Sequence, residues 1–186
     1  KIPVASLEML RNWDNQEDLG AVADLFEKEQ VLTLELSLKS LVKSSSDSSI
    51  ETRQYRFSPL GFLLRETAKR GAARHVELII SKGGDVNDPD ARGITPLMIA
   101  AGRGQADIVR ILLDNGANVQ VKSTGSHFIR SANGSRLPAG STPLHAACYA
   151  GRSDIVMMLL AKEADGNAKS ADGWTPVTAA AFAGTP

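Results

Sequence analysis

The sequence predicts an all-α solenoid of stacked helix-turn-helix units, and the spacing of one short motif carries this prediction. Three tripeptides, Thr95-Pro96-Leu97, Thr142-Pro143-Leu144 and Thr175-Pro176-Val177, mark a repeated unit. The last two lie 33 residues apart (175 − 142), a period typical of one helical hairpin. The first two lie 47 apart (142 − 95), which is one period plus 14 inserted residues. Composition agrees, because only 5% aromatic residues suits short, closely packed helices better than a β-sandwich.

Each element of one unit has a local signal. Thr95 is a helix cap, and Pro96 sits in the first turn, where its missing N–H does no harm. The small residues of this first helix allow neighbouring helices to approach closely, and Gly104 reverses the chain. A second helix then places four apolar residues at helical spacing, namely Ile108, Val109, Leu112 and Leu113. Asn115-Gly116 ends the unit.

The same register extends to both sides of this unit. Gly71 lies 33 residues before Gly104, and apolar residues follow it at the matching positions, so residues 62–92 form a repeat without the Thr-Pro signature. The predicted units therefore span about 58–92, 93–139 with the 14-residue insertion, 140–172 and a partial 173–186. Residues 62–64 and 162–166 depart from the pattern and put the local turn geometry there in doubt. The partial last unit leads us to expect further repeats or a cap.

Residues 1–57 are predicted to form an irregular helical N-terminal cap that includes a degenerate repeat. Helices are expected around residues 4–13 and 18–26. Residues 31–43 fit a helix, which we favour, but their leucines also alternate as in a strand. The Ser-rich segment 44–49 has the composition of a flexible connector.

These motifs resemble the ankyrin repeat. The match is carried by Gly-Ser-Thr-Pro-Leu-His-Ala-Ala at 140–147, Asp-Ile-Val at 107–109 and 154–156, and Asn-Gly-Ala-Asn-Val at 115–119, within about residues 58–186. The resemblance implies a protein that binds other proteins and catalyses no reaction. It also implies that partners contact the loop tips between units and the exposed side of the first helices.

The charge of the chain and its few reactive residues also favour a protein-binding function. The net charge is zero, so a broad basic face for nucleic acid is not expected. No segment is apolar enough to span a membrane, and the single cysteine, Cys148, fits an intracellular protein. Neither a metal site nor a cofactor site is predicted. Cys148 fits a small core residue, and the resemblance implies that the His145 ring hydrogen-bonds turn backbone.

Eight residues are predicted to bind the partner protein. They lie at loop tips, on first-helix surfaces or in the insertion: Arg70, Arg92, Arg103, Phe128, Arg130, Tyr149, Trp174 and Phe182. Arg70, Arg103, Tyr149 and Phe182 are expected to line one groove, basic at one end and aromatic at the other, which predicts a ligand acidic at one end and apolar at the other. The insertion, about residues 122–139, is either a solvated loop or a finger that contacts the partner, because His127-Phe128-Ile129 is apolar.

Two functions remain open at this stage. The first is an interaction module or scaffold subunit, acting alone or in a larger complex. The second is a substrate-recruiting or regulatory region of an enzyme or channel whose active part lies outside residues 1–186, because fold alone does not settle function.

Overall fold

The computed structural model describes residues 59–125 and 136–184, and within them the chain forms seven helices. Their bounds are α1 Pro59–Arg70, α2 Ala73–Ser81, α3 Pro96–Arg103, α4 Ala106–Asp114, α5 Pro143–Tyr149, α6 Ser153–Ala161 and α7 Pro176–Ala183. The described part lies almost wholly in a compact unit that begins at Leu60. The helices, the connector and the capping role predicted for residues 1–57 lie outside the described residues.

The Thr-Pro pairs begin the first helices as the sequence predicts. The hydroxyl groups of Thr95, Thr142 and Thr175 each accept the backbone N–H three residues later, at 3.3–3.4 Å, and proline follows each of them. This satisfies one of the N–H groups that have no partner inside the helix. In the first unit Phe62 occupies the position of the capping threonine. Helix α1 instead begins at Pro59 and runs for 12 residues.

The second helices end at a residue in the left-handed conformation. Gly83 and Gly116 occupy this position with φ of 86° and 82°, and Glu163 occupies it in the third unit with φ of 62°. A side chain usually disfavours this conformation by about 1–2 kcal/mol. Residues 162–166 depart from the sequence pattern but therefore keep the turn geometry of the other units.

The core lies between successive hairpins and is made by one face of each helix. Its largest fully buried side chains include Leu64, Ile79, Leu97, Met98, Ile108, Leu112, Leu137, Leu144, Tyr149, Ile155 and Leu159. The alanine pairs of α3 and α5 are also buried, and α5 packs against α3 and α7 more closely than the second helices pack against one another. The closer packing on the first-helix side follows from these small side chains.

Candidate interaction surface

The loop tip before α3 is a rigid turn that displays Arg92. The N–H of Gly93 donates to the Asp90 carbonyl at 2.9 Å, and the N–H of Asp90 donates to the Ile94 carbonyl at 3.0 Å. One carboxylate oxygen of Asp90 accepts the N–H groups of Arg92 and Ile94. The other pairs with the Arg92 guanidinium at 3.2 Å, and 56% of the Arg92 side chain is exposed. Hydrogen bonds thus hold the backbone of the tip in place, and the tip exposes the Arg92 cation to solvent.

The 14-residue insertion starts from the equivalent tip before α5. The N–H of Ser123 donates to the Ser141 carbonyl at 2.9 Å, and the N–H of Gly140 donates to the Ser123 carbonyl at 2.7 Å. This is the hydrogen-bond pair that closes the tip at Asp90. Two residues lie between the paired positions there (91 and 92), and 16 lie between Ser123 and Gly140, a difference of 14. The insertion therefore lengthens the tip itself and leaves the hairpins on either side intact.

Both arms of the insertion are fixed at their base. On the outgoing arm, the N–H groups of Thr124 and Gly125 donate to the Arg92 carbonyl at 2.8 and 3.0 Å. On the returning arm, Leu137 is fully buried, and the Pro138 carbonyl accepts the Ser141 hydroxyl at 2.7 Å. Phe128 and Arg130, which we predicted to bind the partner, lie outside the described residues. The base of the insertion is part of the folded stack.

The predicted groove along four first helices is wrong at Tyr149. Tyr149 is 1% exposed and belongs to the core. The register gives the reason. Arg70 and Arg103 come one residue before the turn glycine of their units, whereas Tyr149 and Phe182 come two residues before it, so the two pairs lie on different sides of their helices. The four residues do not form one row.

The remaining predicted residues divide into a basic group and an aromatic group. Arg103 is exposed and Arg70 is half-buried. In the last unit the rings of Trp174 and Phe182 lie 4.6 Å apart at an angle of 48°, a geometry that favours an aromatic pair. Trp174 is half-buried and Phe182 is 51% exposed. The structure thus describes cations on the first two units and an aromatic pair on the last one.

Known sequences now place this stack in a family. A sequence profile of ankyrin repeats in three copies matches residues 64–136, and a second profile, of ankyrin repeats in many copies, matches residues 132–180. The chain belongs to the ankyrin repeat family. A stretch of 68 residues is also 34% identical to the potassium channel AKT2/3 of Arabidopsis thaliana. It covers 37% of this chain and 8% of the channel.

Ankyrin repeats are protein-interaction modules, and the surroundings of His145 and Cys148 fit a structural role for both side chains. The Nδ1 atom of His145 accepts the Thr142 N–H, and its Nε2 atom lies 2.9 Å from the Trp174 carbonyl in the next unit. Burial lowers the pKa of His145, although the Trp174 carbonyl opposes this effect. Burial also raises the pKa of the half-buried Cys148, which disfavours the thiolate that a nucleophile requires.

The described part of the ankyrin stack contains neither a membrane-spanning helix nor a metal-binding cluster. No helix among the described residues is long and apolar enough to cross a membrane. Within residues 59–125 and 136–184, no cluster of three or more His, Cys, Asp or Glu side chains is arranged to hold a metal ion.

Two polar side chains that were not predicted from the sequence join ankyrin units to each other. Asn87 donates to the Gly116 carbonyl at 3.2 Å and accepts the Asn118 N–H at 2.7 Å. Gln120 makes the same pair of contacts with the third unit. Their spacing of 33 residues was the available signal, because an amide that recurs with the period of the repeat indicates a structural role.

Proposed function

We propose that this chain is a non-catalytic ankyrin-repeat module that binds a partner protein at its row of loop tips. One observation carries the proposal: the insertion starts from a tip whose backbone is hydrogen-bonded to the preceding tip through Arg92 and to the following tip through Ala139. A surface that is already ordered loses less conformational entropy when it binds than a flexible loop does. The base of the insertion therefore lies at a loop tip, and the loop tips are where we expect an ankyrin-repeat protein to meet its partner.

The exposed charges indicate the character of the partner. Arg92 is exposed at the tip before α3 and Arg103 at the end of α3, and Lys122 and Arg136 are exposed at the base of the insertion. Arginine is enriched where binding energy is concentrated. The aromatic pair Trp174 and Phe182 lies in the last unit. These features support a partner that is acidic where it meets the first two units and apolar where it meets the last one.

The charge balance supports a protein partner over nucleic acid. The chain has 21 basic and 21 acidic residues, and tight binding to a phosphate backbone depends on a broad excess of positive charge. The tip cation itself is paired with Asp90. We propose an intracellular protein, acting alone or within a complex of several subunits.

A second candidate function is a recruiting or regulatory region of a larger enzyme or channel. The similarity to a segment of a potassium channel supports it, and that segment is 8% of the channel's length. The tip surface would serve both functions in the same way. The sequence of the whole gene separates them, because a catalytic or membrane region in the same reading frame establishes the second.

Site-specific photo-cross-linking tests the proposed surface with a matched pair of positions. Arg92 and Arg110 are both exposed, at 56% and 60% of their side chains, and both pair with a nearby aspartate, at 3.2 and 3.4 Å. Arg92 lies on a tip and Arg110 on the second helix α4. A photoreactive residue at position 92 is expected to cross-link a partner in cell extract, and the same residue at position 110 is not.

The result is checked by a binding measurement. Once mass spectrometry identifies the cross-linked protein, Arg92→Glu should weaken its binding and Arg110→Glu should not, with both variants melting near wild type. Cross-links from position 110 alone would move the binding surface to the second helices and contradict the proposal.

A further inference from the structure

Successive hairpin turns contact one another at the end of the first helices that lies farthest from the loop tips. A Cβ atom at Gly71 would lie 3.1 Å from the Nε2 atom of Gln105, and a Cβ atom at Gly104 would lie 2.8 Å from the Nη2 atom of Arg152. Gln105 and Arg152 occupy the same position of the repeat, directly before the second helices α4 and α6. The turns therefore form a continuous edge, which we call the turn edge.

The turn at Gly104 carries arginines from two units. The guanidinium group of Arg152 lies against the backbone of Gly104, since its Nε, Cζ and Nη2 atoms are the three nearest to the Cβ position there. Arg103 directly precedes Gly104, and both arginines are exposed. At the preceding turn, Arg70 occupies the position of Arg103, but the neutral Gln105 occupies that of Arg152. The turn at Gly104 thus has a second guanidinium group where the preceding turn has an amide.

These two arginines lack the acidic partner that other arginines of the stack have. Arg65, Arg92 and Arg110 each pair with an aspartate. Within residues 59–125 and 136–184, the side chains of Arg103 and Arg152 form neither a hydrogen bond nor an ion pair. A guanidinium group has several N–H donors in a fixed, planar arrangement. The described chain leaves both sets of donors at this turn to solvent.

The carboxylates closest in sequence do not neutralise these cations. Asp107, in the first turn of α4, pairs with Arg110 at 3.4 Å. Asp154, in the first turn of α6, forms no ion pair within the described part of the chain, and the N-terminus of its own helix favours its charge. Two cations without a counter-ion raise the electrostatic potential at the turn, so this point attracts an anion.

We propose that Arg103 and Arg152 bind the phosphate group of a phosphorylated side chain in a partner protein. A carboxylate has two oxygen atoms and a single charge, which one guanidinium group can satisfy in a bidentate pair. A phosphate monoester has three terminal oxygen atoms and a charge of about −1.5 to −2 at pH 7, so one such group can accept hydrogen bonds from both arginines. We call this pair of arginines the phosphate site.

The small extent of the phosphate site favours a single phosphorylated residue as its ligand. Nucleic acids and anionic membranes present many phosphate groups, and their tight binding depends on a broad excess of positive charge, whereas this chain has no net charge. The inference rests on the proposed function in one respect, because it takes a protein as the source of the phosphate. The phosphate site itself lies at the opposite end of the first helices from the tips.

Titration followed by nuclear magnetic resonance tests the phosphate site directly. The probe is phosphoserine blocked at both ends, and blocked aspartate at the same ionic strength is the carboxylate control. We expect saturable shifts of the Gly104 amide and the Arg152 Nε–H, and an affinity at least about tenfold higher for phosphoserine than for aspartate. The titration does not involve the tips, so a failure of cross-linking at position 92 would contradict the proposed function and leave this result unchanged.

Three variants show whether the paired arrangement or the charge alone binds the probe. Arg103→Ala and Arg152→Ala should each weaken phosphoserine binding about fivefold or more, because one guanidinium group then remains. Arg74→Ala is the matched control. It removes the same charge from an exposed arginine at the start of α2 and should leave the affinity near wild type. An equal loss in all three variants, an equal affinity for aspartate, or shifts that do not saturate would each overturn the proposal.

The source of the phosphate is tested separately. Phosphatase treatment of the partner identified by cross-linking should weaken its binding to wild type and leave its binding to Arg152→Ala unchanged. Unchanged binding to wild type after this treatment would overturn the protein source. Phosphatidylcholine vesicles that contain phosphatidylinositol bisphosphate provide the other comparison. If wild type sedimented with them and Arg152→Ala did not, a lipid headgroup would replace the phosphorylated protein as the ligand.

Discussion

His145 shows how one buried side chain connects two units. Its ring contacts Thr142 within its own cap and the Trp174 carbonyl in the next unit, and the residue is fully buried. Burial favours the neutral ring, so its pKa in the folded protein lies below the ordinary value of 6.5. In the unfolded chain the ring recovers that ordinary value.

This difference in pKa predicts a dependence of stability on pH. Below about pH 6.5 the unfolded chain binds a proton at His145 that the folded protein does not bind, so stability falls as pH falls. The loss stops once the pH passes below the folded pKa. Urea midpoints at pH 7.5 and 5.5 should differ more for wild type than for His145→Asn. An equal shift in both proteins would assign the effect to other groups.

The burial of the second-helix leucines predicts a ranking of stabilities. Leu112 and Leu159 are fully buried in α4 and α6, so their replacement by alanine should cost roughly 2–5 kcal/mol. Arg103→Ala should change stability little, because Arg103 is exposed at the end of α3. Denaturant midpoints of the three variants test the ranking. A larger loss for Arg103→Ala would reverse the assignment of inner and outer faces.

At the scale of the element, the sequence predicted those features of each helix that depend only on residues close together in the chain. The Thr-Pro caps, the turn glycines and the apolar face of α4 depend on residues at most four apart, so their signals are local. The exposure of Tyr149 depends on which unit packs over it. The spacing of residues within its own helix carries no information about that packing. The Asn87 and Gln120 clamps join residues 29 to 45 apart and require the stacked geometry.

The insertion shows one feature that the sequence predicts and one that requires the structure. Its length follows from the spacing of two Thr-Pro pairs, but its boundaries follow from hydrogen bonds at Ser123 and Gly140. A deletion that begins at Lys122 would remove Ser123, which closes the tip. Leu137 also lies within the expected loop and is nevertheless buried in the core.

The structure therefore predicts the effect of a shorter deletion. Removal of residues 125–138 joins Thr124 to Ala139 and restores a tip with two residues between Ser123 and Gly140. We expect the stack to keep its helical circular dichroism, because both flanking hairpins stay whole. The melting temperature should fall moderately, since the burial of Leu137 is lost. Loss of most of the helical signal would show that the insertion is required for folding.

The whole described stack behaves as a one-dimensional array, in which each unit is stabilised by itself and by its neighbours. Helix α5 packs against first helices on both sides, and against α6 in its own hairpin, whereas α7 packs chiefly against α5. Opening of α7 therefore breaks fewer contacts than opening of α5. Local stability should decline from the middle of the stack toward α7.

Native-state hydrogen exchange measures this gradient in the unmodified chain. Ala147 and Ala180 occupy the same register in α5 and α7, so their amides make a matched pair. The Ala180 amide is expected to exchange at least tenfold faster, because α7 can open while the remaining units stay folded. A destabilising change in the middle, such as Leu112→Ala, should accelerate Ala147 more than Ala180. Equal rates in wild type would instead mean that the stack opens as one cooperative unit.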